Sequence, residues 1–529
     1  MGTALPSKEA EQAQVYRSPS EQAGLQTSSR ISELTRQIPW IWVILGLGAF
    51  LRLITLGRQS LWLDEGISFW IVNRPLPDLL SELSRHPRPL HFLVLHQMVA
   101  LGGDEWLLRL PSALAGIASI GLIYSLGFEL FDRRTGLLAA LILAFSPFHI
   151  WYSQEARFYA LLAFLGLAAG WFAVRALRRN QPVDWVLFGV FEGLALDTES
   201  GAIWTVIAMN FAALLLVRSL WRTGRFFAWG ASQAIALLIY LPVLPFFLEA
   251  VGGDNTLWIP PATFTQLGRT VADFSGSFMR TPIESRLVLL VLLAGMATGA
   301  PGLISEIRRG KGFKMERYLV LGSWMVVPVG LSFLISQRYF PLPFFSLFFN
   351  QERSVFLTRN LILASFPLYL LLARSLILAQ RPWGTVILAG LILLNTFAYF
   401  GNAVVVRKED YRSAADLISE HAQEDDIILF APPFLETPFA YYYYGGDGLL
   451  EEGYDRAVLE DGVISDDRQR IYSFPIQAVR GDQDVWFVSN ENEFQPDNKG
   501  TEVSLEAWGE PVEMWQFEGV TVQRITRLE

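Results

Sequence analysis

Residues Leu130–Leu161 read LFDRRTGLLAALILAFSPFHIWYSQEARFYAL, and this pattern decides the fold class. A charged turn with Arg133 and Arg134 leads into an apolar run, Gly136–Trp151. A tight polar turn then carries Glu155 and Arg157, and a second apolar run follows, Tyr159–Val174. Apolar runs of roughly 17–23 residues are what a ~30 Å hydrocarbon core requires. The alternation recurs along the chain at Pro39–Leu56, Leu108–Leu130, Trp185–Leu196, Gly201–Val217, Phe226–Leu248, Arg286–Ile304, Tyr318–Ile335, Leu357–Ala373 and Gly384–Val406. The reading is an α-helical polytopic membrane protein with about 11 transmembrane helices.

Composition agrees. Only 18% of the 529 residues are charged, against about 25% in soluble domains, which argues against a soluble enzyme. The charge is also divided. From Lys408 onward there are 27 acidic and 9 basic side chains, a net of −18, while the first 407 residues carry a net of +9. An acidic tail of that kind is a poor partner for nucleic acid, which needs a basic face. With no cysteine in the chain, disulfides, thiolate catalysis and cysteine-ligated metals are excluded.

Four parts follow. Residues 1–37 read as a disordered tail rich in Ser, Gln and Glu, on the cytoplasmic side. Residues 38–406 form the transmembrane body, within which 57–107 is a first outer loop; Leu90–Leu101 in that loop is too short to span and reads as an interfacial helix. Residues 407–529 form a small acidic α/β domain, helical at Tyr411–Ala422 and strand-like at Asp426–Phe430 and Asp484–Val488. Basic residues gather in alternate short loops, at Arg133 and Arg134, Arg175 to Arg179, Arg218 to Arg225, Arg308 to Arg317, and Arg374 with Arg381. The positive-inside rule then places the N-terminus in the cytoplasm and the acidic domain outside.

Chemistry-bearing residues collect at the outer ends of these runs. Asp64 and Glu65 in SLWLDEG can serve as a general base and its supporting or metal-binding partner, or can simply form an acidic turn capping an interfacial helix. In Ser84–His91 two prolines hold His86, Arg88 and His91 extended, as donors for an anion or as interfacial anchors. In WYSQEARFY, Arg157 suits a lipid-linked phosphate and Glu155 a sugar or a metal, with a local ion pair as the plainer alternative. Arg58, Tyr159, Asp197, Glu199 and Arg359 lie at the same face, whereas Arg52 either snorkels to the headgroups or meets a phosphate. Glu192 falls inside a run, where a charge is costly unless it faces a polar cavity. Acids and bases converging on one interface fit chemistry on a lipid-linked substrate better than a transport path, which needs polar groups at the midplane.

At these residues the sequence resembles the GT-C membrane glycosyltransferases, family 39 type, which include protein O-mannosyltransferases and the aminoarabinose transferase of lipid A. The resemblance rests on SLWLDE (Ser60–Glu65), HPRPLHFLVLH (His86–His96), RLPSALAG (Arg109–Gly116) and Leu130–Leu161, with echoes at Thr358–Ala373 and in KEDYRSAADLI, Lys408–Ile418. It implies a GT-C-like body in a bacterial inner membrane. Sugar would pass from a polyprenyl-phosphate donor to a protein, lipid or glycan acceptor on the extracytoplasmic face. Asp64 would be the base with Glu65 and Glu155 beside it, and Arg58, His86, Arg88, Arg157, Tyr159, Glu199 and Arg359 would bind substrate. A divalent metal is conceivable in such a site, and none is assigned. The chain departs from the family at His86-Pro-Arg88-Pro-Leu-His91, where His-Pro-Pro-Leu-Tyr is usual, at Asp197-Thr-Glu199 in place of Tyr-Thr-His, and at Asn360 after Arg359. These departures bear on acceptor identity. The alternatives are a glycan ligase using a polyprenyl diphosphate, a lipid or glycan transporter, or a non-catalytic membrane scaffold.

Overall fold

The computed structural model describes residues 39–83, 87–252, 259, 261–276, 282–337, 354–379, 382–404, 408–423, 426–431, 433–443, 484–490 and 509–527. The expected N-terminal tail and the candidate residue His86 lie outside them. The chain opens with α1 (Trp40–Leu53), then α2 (Leu63–Val72), α3 (Leu76–Glu82) and α4 (Pro89–Ala100). The bundle continues through α5 (Glu105–Leu130), α6 (Arg133–Ala144), α7 (Pro147–Ser153), α8 (Tyr159–Arg179), α9 (Pro182–Thr198) and α10 (Ile203–Leu215). Next come α11 (Val217–Arg222), α12 (Phe226–Tyr240), α13 (Leu244–Gly252), α14 (Phe264–Gly276), α15 (Pro282–Arg309) and α16 (Phe313–Ile335). A 3-10 turn, Thr358–Ala364, precedes α17 (Ser365–Leu378), and α18 (Trp383–Val404) closes the bundle.

Every apolar run read from the sequence falls on a helix. Among the described residues six segments are long and apolar enough to cross a membrane, and α6 with α7 makes a seventh, bent by 62°. The expected count of about eleven is therefore not met by length alone: α1, α9, α10 and α12 have 17 residues or fewer. Phe227, Leu290, Leu393 and Phe397 stand exposed on the bundle, an apolar surface suited to lipid rather than water. The protein is a multi-pass membrane protein. Its helix ends follow ordinary capping chemistry. The Asp104 carboxylate accepts from Leu107 N at 2.8 Å and Asp132 from Thr135 N at 2.9 Å, while Asn180 ends α8 at φ 53°.

The bend between α6 and α7 has a local cause. Pro147 has no N–H to continue the helix, and Ser146 caps α7 by accepting from His149 N. Arg52 of α1 covers the exposed end of α6. Its guanidinium donates to the carbonyls of Leu143 and Ala144, both at 3.2 Å, to Gly48 O at 3.1 Å and to Ser153 Oγ at 3.2 Å. Arg52 is wholly buried. It neither snorkels nor faces a phosphate, because the broken helix offers it a full set of acceptors inside the bundle. At the end of α5 remote from Glu105, Arg374 pairs with Asp132 at 2.5 Å and with Glu306, which also takes Arg317 at 3.2 Å. This network clamps α6, α15, α16 and α17 together.

Beyond the bundle, α19 (Tyr411–His421) and α20 (Glu436–Tyr443) accompany four strands: β1 (Ile427–Ala431), β2 (Val485–Ser489), β3 (Gly509–Phe517) and β4 (Val520–Arg527). The sheet order is β1-β2-β4-β3, with β1 parallel to β2 and the other pairs antiparallel. Tyr411, Ile418, Phe430, Phe439, Trp486 and Val522 share its core. The expected C-terminal α/β unit is present. It grips the segment between α1 and α5. A Cβ on Gly66 would lie 2.7 Å from Pro438, Tyr442 Oη accepts from Leu61 N at 2.6 Å, and Arg412 pairs with Glu105 at 2.5 Å.

Arg52→Leu is expected to destabilise the bundle, at about 1–3 kcal/mol for each buried acceptor left stranded. Thermal unfolding in detergent reads this as a lower midpoint. Arg52→Lys keeps the charge without the planar fork and should recover only part of the loss.

Candidate active site

Glu65 is the third residue of α2, and its Oε2 turns back toward Trp62 N at 3.4 Å. The same carboxylate receives Arg109 twice, Nε to Oε1 at 2.8 Å and a terminal nitrogen to Oε2 at 2.7 Å. Ala156 N donates to Oε1 at 2.7 Å and Lys408 Nζ to Oε2 at 3.1 Å. Arg109, the fifth residue of α5, spends its remaining donors on the carbonyls of Leu56, Gln59 and Ser60, at 3.0, 2.7 and 2.9 Å. Both side chains are essentially without solvent contact. Burial alone would raise the Glu65 pKa, but the Arg109 and Lys408 charges and the hydrogen bonds from Arg109 and Ala156 outweigh it and hold it at about 2. Glu65 is thus an ionised carboxylate with every oxygen engaged by the protein.

Asp64, one residue earlier, lies about 100° around the helix and faces a different space. Its side chain is a quarter exposed, with Arg157 at 3.5 Å and Arg359 at 3.8 Å. Arg157 is fixed by donating to Asp64 O at 3.0 Å and Ser68 Oγ at 2.9 Å. The Arg359 guanidinium stands 5.8 Å from the centre of the buried Tyr159 ring. Arg88 and Arg157 both lie over Phe158, at 4.8 and 5.0 Å. Arg88 is ion-paired with Glu199, whose other oxygen takes Ser200 Oγ at 3.0 Å. Residues from α2, the starts of α4 and α8, the end of α9 and the turn before α17 therefore meet in one patch at the end of the bundle that bears the sheet.

Two buried groups complete it. Glu155 lies 3.9 Å from Lys408, and its Oε2 has no hydrogen-bond partner among the described residues. Burial pushes its pKa up to about 7, with Lys408 opposing the rise. His91 is buried with Nε2 unpartnered, and burial, then the Arg157 and Arg88 charges, hold it well below the usual imidazole range. Of the expected site residues, Asp64, Glu155, Arg88, Arg157, Tyr159, Glu199 and Arg359 come together here. Glu65 supports them from behind. Arg58 is exposed, with its carbonyl against Arg412 at 3.4 Å. Glu192 is bonded to Gln233 at 2.6 Å across α9 and α12, away from this patch. Among the described residues no group of three or more His, Cys, Asp or Glu is placed to hold a metal ion; the cations facing Asp64 are guanidiniums.

Arg109 and Lys408 were not singled out from the sequence, although each lies in a quoted motif, RLPSALAG and KEDYRSAADLI. Their signal was a lone cation at the edge of an apolar run.

The chain is similar to known proteins in sequence and in fold. Residues 85–246 match the family model described as dolichyl-phosphate-mannose-protein mannosyltransferase. Over nearly the whole chain the structure follows that of ArnT from Cupriavidus metallidurans bound to undecaprenyl phosphate. That match has a TM-score of 0.54 and 16% identity, covering 92% of this chain and 98% of that one. The fold is that of the GT-C membrane glycosyltransferases. The apo form of the same ArnT gives a TM-score of 0.53 at 16% identity, covering 92% of this chain and 97% of that one. In sequence the chain is similar to YkcB of Bacillus subtilis (strain 168), a protein named for mannosyltransferase activity, 31% identical over 99 residues. That match spans 18% of this chain and 14% of YkcB.

The two neighbouring carboxylates, Asp64 and Glu65, should separate in stability measurements. Glu65→Gln leaves Arg109 and Lys408 buried with their shared counter-charge removed, at a cost of about 3–5 kcal/mol. Asp64→Asn, at a partly open position, should move the thermal midpoint little.

Proposed function

We propose that this chain is a membrane glycosyltransferase that moves a sugar from a polyprenyl-phosphate carrier to an acceptor on the extracytoplasmic face of a bacterial inner membrane. The observation that carries the proposal is Asp64, a partly open carboxylate flanked at 3.5 and 3.8 Å by the guanidiniums of Arg157 and Arg359. Planar guanidiniums recognise phosphate oxygens in two-point contacts, and a carboxylate beside them can accept the proton of an incoming nucleophile. Undecaprenyl phosphate is the molecule named in the ArnT complex of the same fold.

The acceptor oxygen attacks the anomeric carbon as its proton passes to Asp64. The bond from that carbon to the carrier phosphate oxygen breaks, and the electron pair leaves with the phosphate, held by Arg157 and Arg359. Attack from the side opposite the leaving group inverts the anomeric centre. Glu65 positions Asp64 by fixing α2, and Arg88, Glu199 and Tyr159 border the substrate. Arg58 stands at the rim. The basic residues Arg133, Arg134, Arg178, Arg308 and Arg309 flank the helix ends remote from the sheet, which supports an extracytoplasmic site.

The test is transfer of labelled sugar from synthetic polyprenyl-phosphate hexoses, with membrane extract as the acceptor source. Asp64→Asn is expected to lower turnover roughly 10²–10⁴-fold while donor binding persists. Arg359→Ala removes a charge-assisted contact of about 1.5–3 kcal/mol and should weaken donor binding by one to two orders of magnitude. Wild-type turnover in Asp64→Asn would remove Asp64 from the chemical step. Absence of turnover in the wild type with every donor and acceptor would favour transport or scaffolding.

A further inference from the structure

We infer that Lys408, which follows the last helix of the bundle, is a positioning residue of the site: its buried ammonium, set between Glu65 and Glu155, governs the charge state of Glu155. Lys408 Nζ lies 3.1 Å from Glu65 Oε2 and 3.9 Å from Glu155 Oε1, and it donates to Gln154 O at 3.3 Å. It also stands 5.5 Å from the centre of the Trp151 ring. Lys408, Glu65, Glu155 and Arg109 are all buried.

The argument is one of charge balance. Glu65 already has a full bidentate partner in Arg109, so the second cation is surplus at Glu65 and is left to balance Glu155. With Lys408 present, two carboxylates face two cations and both can remain ionised. Without it, one negative charge is stranded among buried groups, and a carboxyl in that position takes up a proton instead. The one able to do so is Glu155, whose Oε2 has no protein partner among the described residues. The other groups facing Glu155 are Glu65 and Asp64 from α2, Arg359 from the turn before α17, Tyr152 from α7 and Tyr159 from α8. Asp64 and Glu65 add to the stranded charge, and Arg359 offsets part of it. The C-terminal unit thereby contributes a charge to the site itself, not only a cover for it.

Infrared difference titration of the full-length protein in nanodiscs tests this without needing turnover. Wild type minus Glu155→Gln should isolate a carboxylic-acid band that grows as pH falls through about 7. In Lys408→Met the midpoint should rise by about 1–3 pH units, the effect of losing a nearby opposite charge. Lys408→Arg should restore it. An unchanged midpoint in Lys408→Met, or no Glu155 band between pH 5 and 9, overturns the inference and leaves Lys408 as a structural tie alone. Should Lys408→Met fail to fold, the electroneutral double variant Lys408→Met/Glu155→Gln is expected to recover a folded protein, and its failure also overturns the inference. The kinetic arm rests on the transferase reading. If ionised Glu155 is needed for transfer, the acid limb of kcat/KM moves upward with the infrared midpoint. An enzyme without turnover whose infrared midpoint still moves would refute the transferase and keep the charge coupling.

Discussion

The buried Glu65 carboxylate is where four distant parts of the chain meet. It joins the start of α2, the N-terminal part of α5 through Arg109, the turn between α7 and α8 through Ala156 N, and the C-terminal unit through Lys408. Removing each ion from water costs several kcal/mol, repaid only when the geometry is good and every lone pair and proton finds a partner. Here the Arg109 donors that Glu65 does not use reach three carbonyls of the loop between α1 and α2. The pair therefore fixes that loop as well, and the loop fixes Asp64. A partly open carboxylate needs such a support to hold its orientation against the pull of two guanidiniums.

The broken helix serves the same end from below. A continuous helix from Arg133 to Ser153 would carry the α7–α8 turn along a different axis. The 62° bend redirects α7, and the turn that follows brings Ala156 to Glu65 and Arg157 to Asp64. Arg52 makes the break tolerable inside a membrane, where a carbonyl released by a bend has no water to turn to. Two arginines thus do related work at different depths. Arg52 satisfies the end of α6, and Arg109 satisfies the loop above it.

Much of this was legible in the sequence, and the boundary is physical. Hydrophobic period and length place a helix on every apolar run, and the SLWLDE, QEAR and TRN motifs mark residues that do converge. Adjacency in Asp64-Glu65 shows two carboxylates on one turn, but which is buried depends on Arg109, 44 residues away, and on Lys408, 343 residues away. Span count suffered for a similar reason. Helices α1, α10 and α12 are shorter than their apolar runs suggested because turns, caps and a proline interrupt them, while α9 outruns its apolar stretch and still has only 17 residues. Arg52 was misjudged because a lone arginine near a helix end has two solutions, headgroup or internal acceptors, and only the position of the α6 break selects between them.

The electrostatic balance of the patch fits the chemistry proposed for it. Its named members are the acids Asp64, Glu65, Glu155 and Glu199 and the bases Arg88, Arg109, Arg157, Arg359 and Lys408. With all of them ionised, the set carries one surplus positive charge. A sugar joined to a carrier through a phosphodiester brings one negative charge and neutralises it. Transfer turns the diester into a monoester, whose second negative charge is the electron pair of the broken bond and is kept above about pH 6, the second pKa of a phosphate monoester. At the same moment Asp64 gains the acceptor's proton and ceases to be negative, so the surplus rises from one to two. Charge is thus matched before and after the step with no ion entering or leaving. Lys408 enters that count through Glu155: with the ammonium beside it the carboxylate can stay ionised, and without it Glu155 takes up a proton, so the surplus of one is kept by protonation instead.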